Sequence, residues 1–163
     1  MVGMQKSSTK NEQKIDHLLA KLAGQRVYVD TNAFIFFLDR HAKYFPVVAP
    51  IFEACFNQKI FAITGGLAVA EVMIHPYRNG DAALIANFKN FFSQKNFLTV
   101  ADHNNDLLDI SAMFAGQRRM KLIDAIHVAT AQKNGCTYYL TNDHGIKSSD
   151  SLEVIQLDDF TLR

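Results

Sequence analysis

At 163 residues, with 48% hydrophobic and 20% charged side chains, the chain is sized and balanced for one globular domain with its own core, which excludes a disordered or low-complexity protein. A net charge of +1 leaves no chain-wide polyanion signature; the basic excess is confined to residues 1–26, where Lys6, Lys10, Lys14, Lys21 and Arg26 outnumber Glu12 and Asp16. Cys55 and Cys136 lack metal-ligand spacing and read as small buried hydrophobes, the N-terminus lacks a signal-peptide core, and no apolar run nears the roughly 20 residues of a bilayer span, so a reducing cytoplasm is expected.

The opening "MVGMQKSSTK" is polar and expected to fray. Ile15, Leu18, Leu19 and Leu22 then recur at helical spacing, and Gly24 stops that helix. Val27 to Asp30 reads as a short buried strand, after which Thr31-Asn32 offers caps for a helix from Ala33 to about Asp39. Pro46 and Pro50 bracket the start of another helix, whose apolar side is Ile51, Phe52, Cys55 and Phe56. "KIFAITG" is a second strand. Gly65-Gly66 breaks the chain before the helix "LAVAEVMIH", which Pro76 should end. Asp81 caps "AALIANFKNFF", "NFLTV" is a strand, and Asp102 or Asn104 caps "DLLDISAMFAGQRR". Ile123 to Lys133 is a helix closed by Asn134-Gly135, and "CTYYLTN" and "LEVIQL" are the last strands. Strands alternating with helices predict an α/β domain: three layers, α/β/α, around a central, mostly parallel sheet. Residues 1–25 are expected to form an N-terminal extension with a short helix, and residues 26–163 a single domain. Ligands of such sheets sit at the carboxyl ends of strands, near the point where strand order reverses.

Four carboxylates stand where burial is expected. Asp30 ends the first strand. Glu71 is flanked by Ala70 and Val72 on the helix after the second. Asp124 sits in "KLIDAIHVATA", and Asp143 follows the strand "TYYLTN". Taken singly, an Asp at a strand end is ordinarily a helix cap or a paired acid. Glu71 and Asp124 lie inside apolar helical stretches, where capping is not available. Carboxylates converging at strand ends repel one another, so their pKa values rise unless something compensates. A hard divalent cation such as Mg²⁺ or Mn²⁺ removes the conflict, and Mg²⁺ brings waters and binds substrate phosphates. The chemistry implied is metal-assisted phosphodiester hydrolysis. Pattern alone names no substrate.

From about Arg26 onward the chain resembles PIN-domain ribonucleases, and among them the VapC-like toxins of type II toxin–antitoxin pairs. "VYVDTNAFI", "ITGGLAVAEVMIHP", "KLIDAIHVATAQKNG" and "YLTNDHGIK" are similar to the family's four motifs, in order and at family-like spacing. The resemblance implies a PIN fold and a Mg²⁺- or Mn²⁺-dependent endoribonuclease, with Asp30, Glu71, Asp124 and Asp143 as metal ligands and catalytic acids. It also implies an RNA substrate, a homodimer and a cognate antitoxin protein. Two departures stand out. Thr64 precedes Gly65-Gly66, where the family carries a hydroxyl nearer the Glu, and Ile146 stands where a Phe is frequent.

Asn32 and Thr141 are expected to orient carboxylates or water, although capping and turn formation explain them equally. Arg118, Arg119 and Lys121 precede the Asp124 helix and are candidates to hold an RNA backbone; charges at a helix C-terminus need no ligand to explain them. His127 shares a helix face with Asp124 and reads as a core histidine, because hard cations prefer oxygen. Of the aromatic residues, Tyr44 and Tyr77 are the candidates for stacking on a base. "AFIFFLD" and the helix with Ile51, Phe52, Cys55 and Phe56 carry more apolar surface than one face needs, which a thick core or a partner would cover. Three other readings compete. One is a PIN nuclease of RNA processing without a toxin role. Another, of a different class, is an aspartyl-phosphate phosphatase or receiver-like domain. Such a phosphatase wants a second Asp two residues after Asp30, where Asn32 stands, and the receiver's acidic pair and late Lys are missing. The third is a silent binding module, against which the intact acid quartet argues.

Overall fold

The computed structural model describes residues 2–161 apart from Lys95, with side chains from Lys10 onward. Five short strands form one sheet: β1 (Arg26–Val29), β2 (Phe61–Gly65), β3 (Leu98–Ala101), β4 (Tyr138–Thr141) and β5 (Glu153–Gln156). Their order is β3-β2-β1-β4-β5, and every pairing is parallel. The expected mostly parallel sheet is therefore parallel throughout. Strand order grows one way from β1 to β3 and the other way through β4 and β5, so the switch point lies between β1 and β4.

Alternation along the strands builds the two outer layers. Val27 and Val29 of β1, Ala62 of β2 and Leu140 of β4 face one core, together with α1 (Val2–Leu22), α2 (Thr31–Leu38), α3 (Phe45–Phe56), α4 (Gly66–Asn79) and α5 (Ala82–Phe92). Tyr28, Ile63 and Tyr139 point to the opposite face, under α6 (Asn105–Arg118) and α7 (Leu122–Lys133). The apolar excess of α2 and α3 goes largely into the first core. There Phe34 and Phe37 meet the Phe52 ring at 5.5 and 4.5 Å. Each fully buried ring of this kind contributes about 1.5–3 kcal/mol. Tyr44 belongs to this packing too, stacked on Phe36 at 4.1 Å with its hydroxyl bonded to Asp158, whereas Tyr77 is exposed.

Three boundaries differ from expectation. The polar opening does not interrupt α1, which is helical from Val2 and buries Leu18 and Leu22 against the first core. Helix α4 runs through Pro76 to Asn79 and ends at Gly80, whose φ of +63° only glycine adopts without cost. Pro76 forfeits one backbone bond, but the ring is buried on the same face as Val72 and Met73, and that packing carries the helix past it. Of the two possible caps for α6, Asn104 is the one used; its side chain accepts from Leu107 N at 3.0 Å.

Candidate active site

The carboxyl ends of β1 and β4 open into a cleft of about 210 Å³ whose lining includes Asp30, Glu71, Asp124 and Asp143. The structure thus brings together the four acids singled out in the sequence, each from a different element. Asp30 is the N-cap of α2, Glu71 lies in the second turn of α4, Asp124 in the first turn of α7, and Asp143 in the loop after β4. Ile35, Ile123 and Ile146 add apolar walls.

Asp30 is 7% exposed and would be a costly charge without partners. It has three. Thr31 N donates to Oδ1 at 2.8 Å, while Asn32 Nδ2 at 3.1 Å and Thr141 Oγ1 at 2.5 Å donate to Oδ2. Thr141 Oγ1 in turn accepts from Asn32 Nδ2 and from Asp143 N, and Asn32 Oδ1 accepts from Asn142 N. One small network therefore ties the ends of β1 and β4 to the position of Asp143. Burial still pushes the Asp30 carboxyl above its usual range, against the pull of Thr141 and His127.

Glu71 has the opposite environment. Its Oε2 meets His127 Nε2 at 3.0 Å and accepts from Thr31 Oγ1 at 2.5 Å. The bond from His127, then that from Thr31, holds its carboxyl below the ordinary value. Asp124 accepts no hydrogen bond among the described residues; burial and then the charge of Asp143 push its carboxyl up, while Lys121 pulls it down. Asp143 Oδ1 accepts from Gly145 N at 2.7 Å.

Among the described residues no three His, Cys, Asp or Glu side chains converge as a ready-made metal cage. Glu71 leans toward His127 and Thr31, and Asp143 toward its own loop. The donor set nevertheless fits a hard divalent ion. Its chemistry is four carboxylates lining one cleft, two of them destabilised as anions, and Mg²⁺ keeps several waters rather than demanding an all-protein cage.

The basic trio divides. Lys121, the N-cap of α7, acts on the charge of Asp124. Arg118 turns away, its guanidinium 3.8 Å from the centre of the Phe114 ring, beside a separate cleft of about 410 Å³ that Lys147 also lines. Arg119 ends α6 with φ +52° and is exposed. Thr64 is buried and donates to Val29 O at 2.8 Å, tying β2 to β1 rather than reaching the acids. Sequence reasoning missed the contacts of Thr31, His127 and Tyr28 with Glu71 and its neighbours. The available signals were the i+3 placement of His127 after Asp124 and the two-residue spacing of Tyr28 before Asp30.

Residues 27–151 match the model of the PIN domain. A toxin–antitoxin complex from Klebsiella pneumoniae superposes with a TM-score of 0.63 at 17% identity, over 80% of this chain and 97% of that one. VapBC2 from Rickettsia felis, bound to a DNA fragment from its promoter, gives 0.60 at 12% identity over 80% and 98%. The sarcin-ricin-loop-cleaving toxin VapC20 from Mycobacterium tuberculosis gives 0.56 at 13% identity over 69% and 86%. No curated protein sequence matches. At such identities the structural likeness speaks for the fold. The family match spans the acid cleft from Asp30 to Asp143, and the chain belongs to the PIN domain family.

Proposed function

We propose that the protein is a Mg²⁺- or Mn²⁺-dependent endoribonuclease and the toxin of a toxin–antitoxin pair. The observation that carries the reading is that four carboxylates, from four elements, line one cleft at the sheet's switch point. Asp30, Glu71, Asp124 and Asp143 would hold the ion. When bound, it supplies charge stabilisation at the scissile phosphate and a water acidic enough to attack. The chain's own groups do the rest. Asn32 and Thr141 fix the Asp30 carboxylate. Glu71, kept ionised by His127 and Thr31, is placed to accept the proton of the attacking water. Lys121, whose charge acts on Asp124, would meet the backbone phosphate; Arg118, turned onto Phe114 beside a separate cleft, and the exposed Arg119 are the more remote candidates.

The toxin role rests on the fold shared with VapC20 and with the toxin–antitoxin complexes. It entails a cognate antitoxin, a homodimer and a cytoplasmic site of action; among the described residues no helix is long and apolar enough to cross a membrane. The test is cleavage of structured RNA by purified protein. Wild type should cut with Mg²⁺ or Mn²⁺ and stop with EDTA, and Asp30→Asn should not cut. Cutting that ignores metal, or persists in the variant, refutes the reading. Expression in a bacterium should arrest growth, and Asp124→Asn should relieve the arrest.

A further inference from the structure

We propose that His127, braced by Tyr28, is a positioning residue that aims one oxygen of Glu71 into the acid cleft. The inference rests on the reading of that cleft as a cation site. A buried chain of contacts carries it. Tyr28 OH lies 2.8 Å from His127 Nδ1, and His127 Nε2 lies 3.0 Å from Glu71 Oε2. Tyr28 is fully buried and His127 is 4% exposed, so water does not compete for either bond.

The direction of the protons follows from the acceptor at the end. A carboxylate has none to give, so Nε2 carries the hydrogen toward Glu71. In a neutral ring Nδ1 is then the acceptor, and Tyr28 donates to it. With Thr31 Oγ1 as second donor, Oε2 is saturated. Oε1 accepts no hydrogen bond among the described residues and is the oxygen left for what enters the cleft.

The three elements that meet here explain why such a brace is useful. Glu71 stands on α4, whereas Asp124 and His127 stand on α7 and Tyr28 on β1 beneath. A long, flexible Glu side chain needs a second point of support, and Thr31 alone leaves it free to pivot about one bond. His127 supplies that point from the helix that carries Asp124, so the two acids keep a fixed relation.

The experiment measures Mn²⁺ affinity of the metal-free full chain by titration calorimetry, beside RNA cleavage and thermal unfolding. His127→Leu should weaken Mn²⁺ binding about tenfold or more, the range seen when a ligand's supporting bond is removed. His127→Gln, which keeps an amide donor near the Nε2 position, should recover most of the affinity. Tyr28→Phe should fall between wild type and His127→Leu. Wild-type Mn²⁺ affinity in a folded His127→Leu would overturn the proposal, as would equal losses in His127→Leu and His127→Gln, which would mean packing alone. If Asp30→Asn and Asp124→Asn also bind Mn²⁺ like wild type, the cation reading itself fails; if they lose the ion while His127→Leu keeps it, this inference alone fails.

Discussion

Neutralising Asp30 and neutralising Asp124 should move the stability of the metal-free protein in opposite directions. Asp30→Asn keeps the side chain's size but leaves one acceptor oxygen where there were two. If that oxygen keeps the bond from Thr31 N, the new amide faces Asn32 Nδ2 and Thr141 Oγ1, which both donated to the carboxylate. The buried Thr141 hydroxyl loses its acceptor and the half-buried Asn32 amide loses one of its two, at about 1 kcal/mol each or less, and removing a charge that burial had disfavoured returns part of that. The expected net loss is about 1–2 kcal/mol, or roughly 2–8 °C in Tm for a chain of this size. Asp124 accepts no hydrogen bond among the described residues, and burial and Asp143 both oppose its charge. Asp124→Asn should therefore be neutral or stabilising, by up to about 1 kcal/mol. The sign with pH follows from the raised carboxyl. A folded-state pKa above the unfolded value contributes stability below the unfolded pKa and loses it as pH rises through the folded one. The advantage of Asp124→Asn over wild type should accordingly vanish at acid pH and grow toward neutrality. Urea unfolding of both variants in EDTA, at pH 4 and pH 7.5, is the assay. Equal destabilisation by both, or an Asp124→Asn advantage that grows on acidification, would refute the electrostatic account of the cleft.

Other outcomes are equally specific. A Cβ at Gly65 would lie 2.6 Å from His103 Nε2, so Gly65→Ala should cost about 1–3 kcal/mol in thermal or urea unfolding, and His103→Ala in the same chain should restore most of it. Leu22→Ala on α1 removes a fully buried side chain and should cost about 2–5 kcal/mol; an unchanged Tm would mean that α1 folds apart from the sheet. Lys121→Ala should weaken RNA binding across sequences and lower the salt dependence by about one unit of log slope, more than Arg118→Ala, whose guanidinium covers Phe114. Equal slopes for the two variants would remove Lys121 from the phosphate path.

Much of the fold is readable because its strands are short apolar runs and its helices carry an apolar period. The four acids are readable because each follows or interrupts an apolar run, although only Asp30 is in fact buried: Glu71 and Asp124 are half-buried, and Asp143, on the loop after β4, is exposed. What escaped the sequence is of two kinds. Local signals mislead where packing outweighs them: Pro76 reads as a stop, yet the face it shares with Val72 and Met73 continues the helix to Gly80. The polar residues ahead of Ile15 carry no apolar period, so the true start of α1 is invisible to it. Pairings across the fold leave only an indirect local trace. His127 meets Glu71 from 56 positions away and Tyr28 from 99; local spacing sets His127 near Asp124 and Tyr28 near Asp30, but it does not name Glu71 as the partner. Arg118 and Lys121 look alike in sequence, but with the left-handed turn at Arg119 between them Arg118 lines a separate cleft while the charge of Lys121 acts on Asp124.

The central claim is that these four carboxylates surround a functional cation. Crystals soaked in Mn²⁺ and measured at the manganese absorption edge test it most directly. The account predicts an anomalous peak within the cleft, with carboxylate oxygens among its ligands, that is lost in Asp124→Asn crystals. Anomalous density elsewhere on the molecule and none between Asp30, Glu71, Asp124 and Asp143 would contradict it.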